Sequence, residues 1–259
     1  MAKRKIDVIC WNVNGIRSVG KKGFLTWLYQ EDPDIVCVQE TKAWPEDIPS
    51  ELEKPKNHYS YWSIPERKGY SGVAIYTKQA PQQVSTNIGI ESFDIEGRVL
   101  VTCYPEYKLL NVYFPNGKSS DDRLQYKMDF YDAFLSFVRP LKEKGERLII
   151  CGDFNTAHKE IDLARPNENK DISGFLPMER AWMDKFISHG FIDSFRLFNN
   201  EPNQYTWWSM RTRARERNVG WRIDYIFISE NLRDYLEDAW ILPNVQGSDH
   251  CPLGIRLLI

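Results

Sequence analysis

Long apolar runs are missing from this chain of 259 residues. No stretch is long enough to span a bilayer, which argues against a helical membrane protein. The first residues, MAKRKIDVIC, pass directly into a strand pattern with no apolar core of a secretory signal, so a cytoplasmic location is expected. Cysteines number only five, at positions 10, 37, 103, 151 and 251, and no two are spaced as CxxC. Four lie in or beside apolar runs. That pattern argues against zinc and disulfides and for buried free thiols in a reducing compartment. Net positive charge is missing too: 34 Lys and Arg stand against 36 Asp and Glu, a formal charge of −2. A nucleic-acid partner is not advertised globally and needs a local basic patch. Pro/Gly/Ser linkers and low-complexity segments are absent, which argues for one domain over 1–259.

Apolar residues and rings are plentiful. Hydrophobic residues make up 42%, enough for a substantial core, and nine tryptophans are present. Tryptophan supplies core area and flat faces for stacking on bases or sugars. KIDVICWNV, PDIVCVQE, SGVAIYT, RVLVTCY, KLLNVYF, RLIICGDF, RIDYIFIS and LGIRLLI read as strands. KGFLTWLYQE, the run from Ser120 to Lys142, and PMERAWMDKFISHG read as helices. In the second, Leu124, Met128, Tyr131, Phe134, Leu135 and Val138 recur at three- and four-residue steps, and Ser119 to Asp122 supply an N-cap. The order of elements predicts two sheets covered by helices.

An internal echo points to function. VICWNVN (8–14) and IICGDFN (149–155) share one form: an apolar run, Cys, one residue, then Asn or Asp, an apolar residue and Asn. Each ends a strand by sending polar side chains spaced i and i+2 to one side. CVQE (37–40) ends a third strand with a carboxylate. Polar tips on several strand ends suggest a shared pocket. They are Asn12, Asn14, Glu40, Asp153 and Asn155, joined by Tyr113 and Asn116 of VYFPNG, Asp224 of WRIDY, and Asp249 and His250 of GSDHCP. So many oxygens, with few histidines or thiolates, suit a hard cation, Mg²⁺ or Mn²⁺, working with a phosphate. The same residue types also cap and turn chains without doing chemistry.

In order along the chain stand WNVNGIR, QETK, YSGVAIYTK, YFPNG, GDFNTAHKEIDLARP, SGFLPMER, FRLF, YTWW, RNVGWRIDY and GSDHCP. With this ordered set, residues 11 to 252 resemble an exonuclease III-type apurinic/apyrimidinic endonuclease of the endonuclease/exonuclease/phosphatase superfamily. The resemblance implies an α/β fold: a four-layered sandwich, deoxyribonuclease-I-like, with two mixed sheets face to face and helices outside. It implies a DNA repair enzyme that cuts the phosphodiester 5′ to abasic sites by metal-assisted attack of water. A 3′→5′ exonuclease and 3′-end-cleaning activity, and incision at damaged or uracil-bearing nucleotides, belong to the same expectation. Its partner is double-stranded DNA with abasic sites or damaged 3′ ends, and a monomer is the default.

Carried over, the resemblance makes Glu40 the metal-binding glutamate, with Asn12, Asn14 and Asp249 nearby. Some relatives carry aspartate where this chain has Asn14. Asp153 activates or aligns the water and Asn155 helps hold it. His250 donates a hydrogen bond to the scissile phosphate, Asp224 orients His250, and Tyr113 and Asn116 contact the phosphate. Trp207 and Trp221, with Ile223 beside them, line a pocket for the extruded baseless sugar. Lys118, Asn169, Arg213 and Arg217 are expected to contact DNA, and Arg211 falls where relatives probe the helix at the lesion. RTRARERNVGWR (211–222) is the local basic patch that the net charge does not provide. Two alternatives remain: a non-specific deoxyribonuclease or a phosphoinositide or sphingomyelin phosphodiesterase of the superfamily, and a DNA-binding module with a silent site.

If Arg211 wedges into the base stack, Arg211→Ala weakens binding to an abasic duplex by roughly tenfold while sparing cleavage at saturating enzyme. Fluorescence anisotropy measures this, and unchanged affinity removes the wedge.

Overall fold

A computed structural model describes residues 4–259, so Met1–Lys3 of the N-terminal reading lie outside the described residues. The strands are β1 (Lys5–Asn12), β2 (Ile35–Gln39), β3 (Tyr59–Ser63), β4 (Val73–Thr77), β5 (Gln83–Ser85), β6 (Val99–Cys103), β7 (Lys108–Tyr113), β8 (Leu148–Asp153), β9 (Phe191–Asp193), β10 (Trp207–Trp208), β11 (Gly220–Trp221), β12 (Asp224–Ser229), β13 (Leu236–Ile241) and β14 (Leu253–Leu258). The helices are α1 (Ile16–Lys21), α2 (Phe24–Glu31), α3 (Ser50–Glu53), α4 (Glu91–Asp94), α5 (Asp121–Glu143), α6 (Pro166–Asn169), α7 (Pro177–Ser188) and α8 (Ser194–Phe198).

Two six-stranded sheets form, ordered β13-β14-β1-β2-β4-β3 and β9-β12-β8-β7-β6-β5. In both, the third strand pairs parallel with the fourth and every other pairing is antiparallel. The echo segments are those third strands, β1 and β8. Each is buried on both faces, which explains their unbroken apolar runs. Between the sheets lies a core that includes Val8, Cys10, Cys37, Ile75, Leu109, Cys151, Ile226 and Ile255. α1 and α2 cover the far face of the first sheet through Ile16, Val19, Phe24 and Leu28. α5 and α7 cover the far face of the second through Phe130, Tyr131, Phe134, Trp182 and Phe186. This is the expected four-layered sandwich of two mixed sheets.

The eight strands and three helices read from the pattern are all present. Ser120 caps α5, its hydroxyl accepting from the Arg123 N–H. Gly190, at φ +82°, ends the turn after α7 with backbone that L side chains rarely adopt. All five cysteines are free, four of them buried. No helix among the described residues is long and apolar enough to cross a membrane. β3, β5, β9, β10, β11 and β13 were not foreseen. They are edge or two-residue strands, partly exposed, and lack the apolar run that marks a central strand.

The basic segment corrects the sequence reading. Arg222, counted there as part of a DNA-facing patch, is 1% exposed. Its guanidinium donates to Asp162 at 2.8 Å and to Asp193 at 2.7 Å, and Arg196 reaches the same Asp162 oxygen at 2.6 Å. Arg215 lies over the Trp208 ring at 4.7 Å and donates to the carbonyls of Pro243 and Val245. Both are used in tying loops together.

Burial opposes ionisation of Asp162, but Arg222 and Arg196 outweigh it and hold its carboxyl at about 2. Its stabilising contribution is therefore whole above its ordinary value of 3.8 and is lost as pH falls through about 2. Asp162→Ala leaves Arg222 with Asp193 alone and costs about 1.5–3 kcal/mol at pH 7. Urea unfolding at pH 7 and pH 2 checks this: the two proteins differ at pH 7 and converge toward pH 2.

Candidate active site

Sheet register brings the polar tips together. Asp153, the last residue of β8, lies opposite Tyr113 of β7 on one side and Asp224 of β12 on the other. Phe114 and Phe154, which follow Tyr113 and Asp153, stack at 4.1 Å and keep those two strand exits side by side. In the other sheet Asn12 ends β1 opposite Gln39, so Glu40 leaves the same edge. A Cβ at Gly152 would run into the Val112 carbonyl, so only glycine allows β7 and β8 to approach there.

The two echo segments end in the same turn. The Asn14 N–H donates to Asn12 Oδ1 at 3.0 Å, and the Asn155 N–H donates to Asp153 Oδ1 at 2.7 Å. Both asparagines are left-handed, at φ 45° and 52°. Asn tolerates that region better than most side chains, and the i to i+2 bond to the side chain stabilises the turn. Glu40 is also left-handed, at φ 53°, a conformation costing about 1 kcal/mol or more outside glycine.

Asn12 Nδ2 donates to Glu40 Oε1 at 2.8 Å and to Asp153 Oδ2 at 2.9 Å. Its oxygen is held by Asn14, so the amide presents its N–H₂ to the carboxylates. Lys42 pairs with Glu40 at 2.6 Å and donates to Asn14 Oδ1 at 2.5 Å. Asn14 Nδ2 donates to Asp249 Oδ1 at 2.8 Å, and Trp207 Nε1 donates to Asp249 Oδ2 at 3.0 Å. Asn155 Nδ2 donates to Asp153 Oδ2 at 3.2 Å, and Asn155 Oδ1 accepts from Asn116 Nδ2 at 2.9 Å.

His250 Nδ1 meets Asp224 Oδ2 at 2.9 Å, and Thr206 Oγ1 donates to that same oxygen at 2.6 Å. His250 Nε2 lies 3.9 Å from Asp153 Oδ2, too far for a hydrogen bond, so both face one shared space. Ligand atoms of Glu40, Asp153 and His250 all lie within 4.8 Å of one another.

Charge sets the roles these groups can take. Burial alone would strip His250 of its proton, but Asp224, then Asp153 and Asp249, overcome that and push its pKa up to about 10. Burial, then the charges of Asp224 and Glu40, push Asp153 up to about 8, while His250 pulls the other way. Burial also opposes ionisation of Glu40, but Lys42 and the Asn12 amide hold it below its ordinary value. The geometry would let His250 Nε2 complete a three-ligand group. Its positive charge makes it a proton donor instead. Hard oxygen donors remain, from Glu40 and Asp153. They fit a cation of the Mg²⁺ or Mn²⁺ type that keeps several waters.

These groups form the floor of a cleft of about 460 Å³. Tyr113, Asn116, Lys118, Asn155, Asn169, Trp207, Trp221, Ile223 and Asp249 line it as well. Trp207 and Trp221 meet edge to face at 6.4 Å on the paired strands β10 and β11. Both pack with Ile223, Phe175 and Leu163 into an apolar wall. Not every expected residue arrives there. Asn12, Asn14 and Asp224 stand behind the lining. Asn14 and Asp249, expected near the metal, spend their side chains on each other, Lys42 and Trp207. Arg211 and Arg217 lie on exposed 3₁₀ turns, and Arg213 on the left-handed link between them, all outside the cleft lining. Lys42, Thr206 and Ser248, whose hydroxyl donates to the Asn12 carbonyl at 2.8 Å, were not singled out. Lys42 sits inside QETK and Thr206 inside YTWW, so only their motif membership could have marked them.

A two-sheet α/β sandwich with a carboxylate pair and an aspartate-paired histidine where central strands of both sheets end defines a class of metal-dependent phosphoester hydrolases. Residues 9–250 match the Endonuclease/Exonuclease/phosphatase family, and the chain belongs to it. It is 44% identical to an exodeoxyribonuclease of Bacillus subtilis strain 168 over 98% of this chain and 100% of the relative. It is 40% identical to the DNA repair nuclease APEX1 of Danio rerio over 98% of this chain and 83% of the relative. The crystal structure of an AP endonuclease from Leishmania major superposes with a TM-score of 0.90 at 28% identity, covering 99% of this chain and 88% of that one.

The Asp224–His250 pair has a direct signature. In metal-free protein the His250 ring titrates at about 10, and in Asp224→Asn, where burial still opposes the charge and the largest charge favouring it is gone, it titrates lower. The pair's contribution to stability is whole below pH 6.5 and is lost as pH rises through about 10. NMR titration of the ring protons in chelator, assigned with His250→Gln, reads both proteins.

Proposed function

We propose that this chain is a divalent-metal-dependent DNA repair nuclease that hydrolyses the phosphodiester 5′ to an abasic site and removes nucleotides or blocking groups from 3′ ends. The observation that carries this reading is the Glu40–Asp153–His250 group at the floor of a cleft with a tryptophan wall. The names of its relatives, an exodeoxyribonuclease and AP endonucleases, agree with it.

Glu40 and Asp153 would hold Mg²⁺ or Mn²⁺, which when bound neutralises phosphate charge and favours loss of a proton from water. Asp153, whose carboxylate faces the same space as His250 Nε2, is placed to take a proton from that water. Asn155 and Asn12 fix the direction of its carboxylate. The water oxygen bonds to phosphorus as the water proton passes to Asp153, and the P–O3′ bond breaks with O3′ taking a proton from solvent to leave as a hydroxyl. His250 donates a hydrogen bond to a phosphoryl oxygen as charge builds there, and Tyr113 and Asn116 add donors on the same side. Asp224 keeps the imidazole charged and turned.

Trp207, Trp221 and Ile223 form a wall suited to a sugar without a base. Lys118, Asn169, Arg211, Arg213 and Arg217 would hold neighbouring phosphates, so binding weakens as salt rises. The pocket wall favours this reading over a non-specific deoxyribonuclease or a phosphoinositide phosphodiesterase. Glu40, Asp153 and His250 are all kept, which speaks against a silent DNA-binding module.

An incision panel with abasic, recessed-3′ and undamaged duplexes, in Mg²⁺ and in chelator, tests it. The abasic strand is nicked and the recessed end shortened only with metal, while the undamaged duplex survives. Asp153→Asn lowers kcat by about 10²–10⁴ with little change in KM. Equal nicking of undamaged DNA points to the non-specific enzyme, and full activity of Asp153→Asn removes the assigned base.

A further inference from the structure

α5 buries one charged residue among its apolar positions, Lys127. Its side chain has no exposure, and neither has that of its partner Glu179, at 2.6 Å. An ammonium carries three N–H donors, and here all three are used. They go to Glu179 Oε1 at 2.6 Å, the Asn155 carbonyl at 2.8 Å and Thr156 Oγ1 at 2.8 Å. Glu179 spends its remaining capacity on a second loop. Oε1 accepts from Ser173 Oγ at 3.0 Å, and Oε2 accepts from the N–H groups of Gly174 at 2.6 Å and Leu176 at 3.0 Å. The two loops also join directly, the Ala157 N–H donating to the Gly174 carbonyl at 2.8 Å.

Both loops belong to the cleft. Asn155 carries the left-handed turn that aims the Asp153 carboxylate, and Lys127 grips its carbonyl. Ser173 and Gly174 line the cleft, and Gly174 lies so close to Trp221 that a Cβ there would be 3.2 Å from the ring. Stability alone does not explain a buried pair, because well-packed apolar residues of similar volume commonly serve as well or better. Removing only one partner is costly, since it leaves a buried charge alone.

We propose that the Lys127–Glu179 pair is a positioning clamp: it locks the exit of β8, with Asp153 and Asn155, to the Ser173–Leu176 loop, whose Ser173 and Gly174 line the cleft. Neither residue lines the cleft. The inference rests on the reading of Asp153 and Asn155 given above.

The test compares wild type, Lys127→Met, Glu179→Gln, the double variant and Thr156→Val for melting temperature, kcat and KM on an abasic duplex in Mg²⁺. Asp153→Asn serves as the control. The double variant removes the lone buried charge, so it melts above either single variant. Its kcat nevertheless stays about 10- to 100-fold below wild type, with KM within about threefold. Thr156→Val removes one bond from Lys127 without creating a lone buried charge; it also removes one from the Tyr131 hydroxyl, which keeps the Phe154 carbonyl, and Tyr131→Phe controls for that loss. Thr156→Val lowers kcat by about threefold or more at unchanged KM, and it keeps the test alive if the other variants do not fold. The clamp is overturned if kcat recovers along with the melting temperature in the double variant, or if Thr156→Val retains wild-type kcat. If wild type does not nick the duplex, or Asp153→Asn retains activity, the site reading itself falls and the clamp with it. A sound control with active clamp variants sinks the clamp alone.

Discussion

One amide holds two carboxylates that belong to different sheets. Asn12 closes β1 and donates both its N–H bonds, to Glu40 at 2.8 Å and to Asp153 at 2.9 Å. Buried carboxylates this close repel and resist ionisation. A neutral double donor between them satisfies an oxygen on each without adding charge. It also fixes the height at which β1 and β8 end relative to each other. The histidine, the outer asparagines and the tryptophan wall are placed around that contact.

Much of this was legible because burial writes itself into sequence. Eight strands buried on both faces or in the sheet centres appear as apolar runs, and three helices appear as stripes. The unforeseen strands are edges and two-residue pieces, such as Gln83–Ser85 and Trp207–Trp208, formed by neighbours and not by their own pattern. At the site, the i and i+2 polar tips marked Asn12, Asn14, Asp153 and Asn155, because a strand end must turn and Asn and Asp turn it. The resemblance supplied the roles. What stayed hidden was pairing at long range. Lys127 looks like a surface lysine on an amphipathic helix until Glu179, 52 positions on, is placed beside it.

The arginine run shows the same limit in the opposite direction. RTRARERNVGWR looks like one patch because it holds five arginines and one acid. The fold divides it. Arg222 turns inward to Asp162 and Asp193, Arg215 ties the segment to the loop near Val245, and Arg211, Arg213 and Arg217 remain outside. A guanidinium that anchors a buried ion pair and one that awaits a phosphate cannot be told apart until their acidic partners, about thirty to sixty residues away along the chain, are located. The same division bears on the charge balance, since counting the whole run overstates what can face a polyanion.

The pseudo-repeat explains why the two halves are not chemically equal. β1 and β8 occupy matching places, yet one ends in Asn12 and the other in Asp153. Aspartate at both would set a third buried carboxylate against Glu40 and Asp153. Asparagine at both would leave Glu40, already paired with Lys42, as the one carboxylate of the Glu40–Asp153 pair. The second cross-link repeats the logic at the matching strands β14 and β12, where His250 enters just before one and Asp224 begins the other, 2.9 Å apart. Each bond joins the two halves at pseudo-equivalent positions on one shared edge, with complementary chemistry on the two sides. Parting the sheets at that edge would break both bonds together. The distances among Glu40, Asp153 and His250 are therefore set by how the sheets pack, which a rigid core holds more tightly than loops alone could.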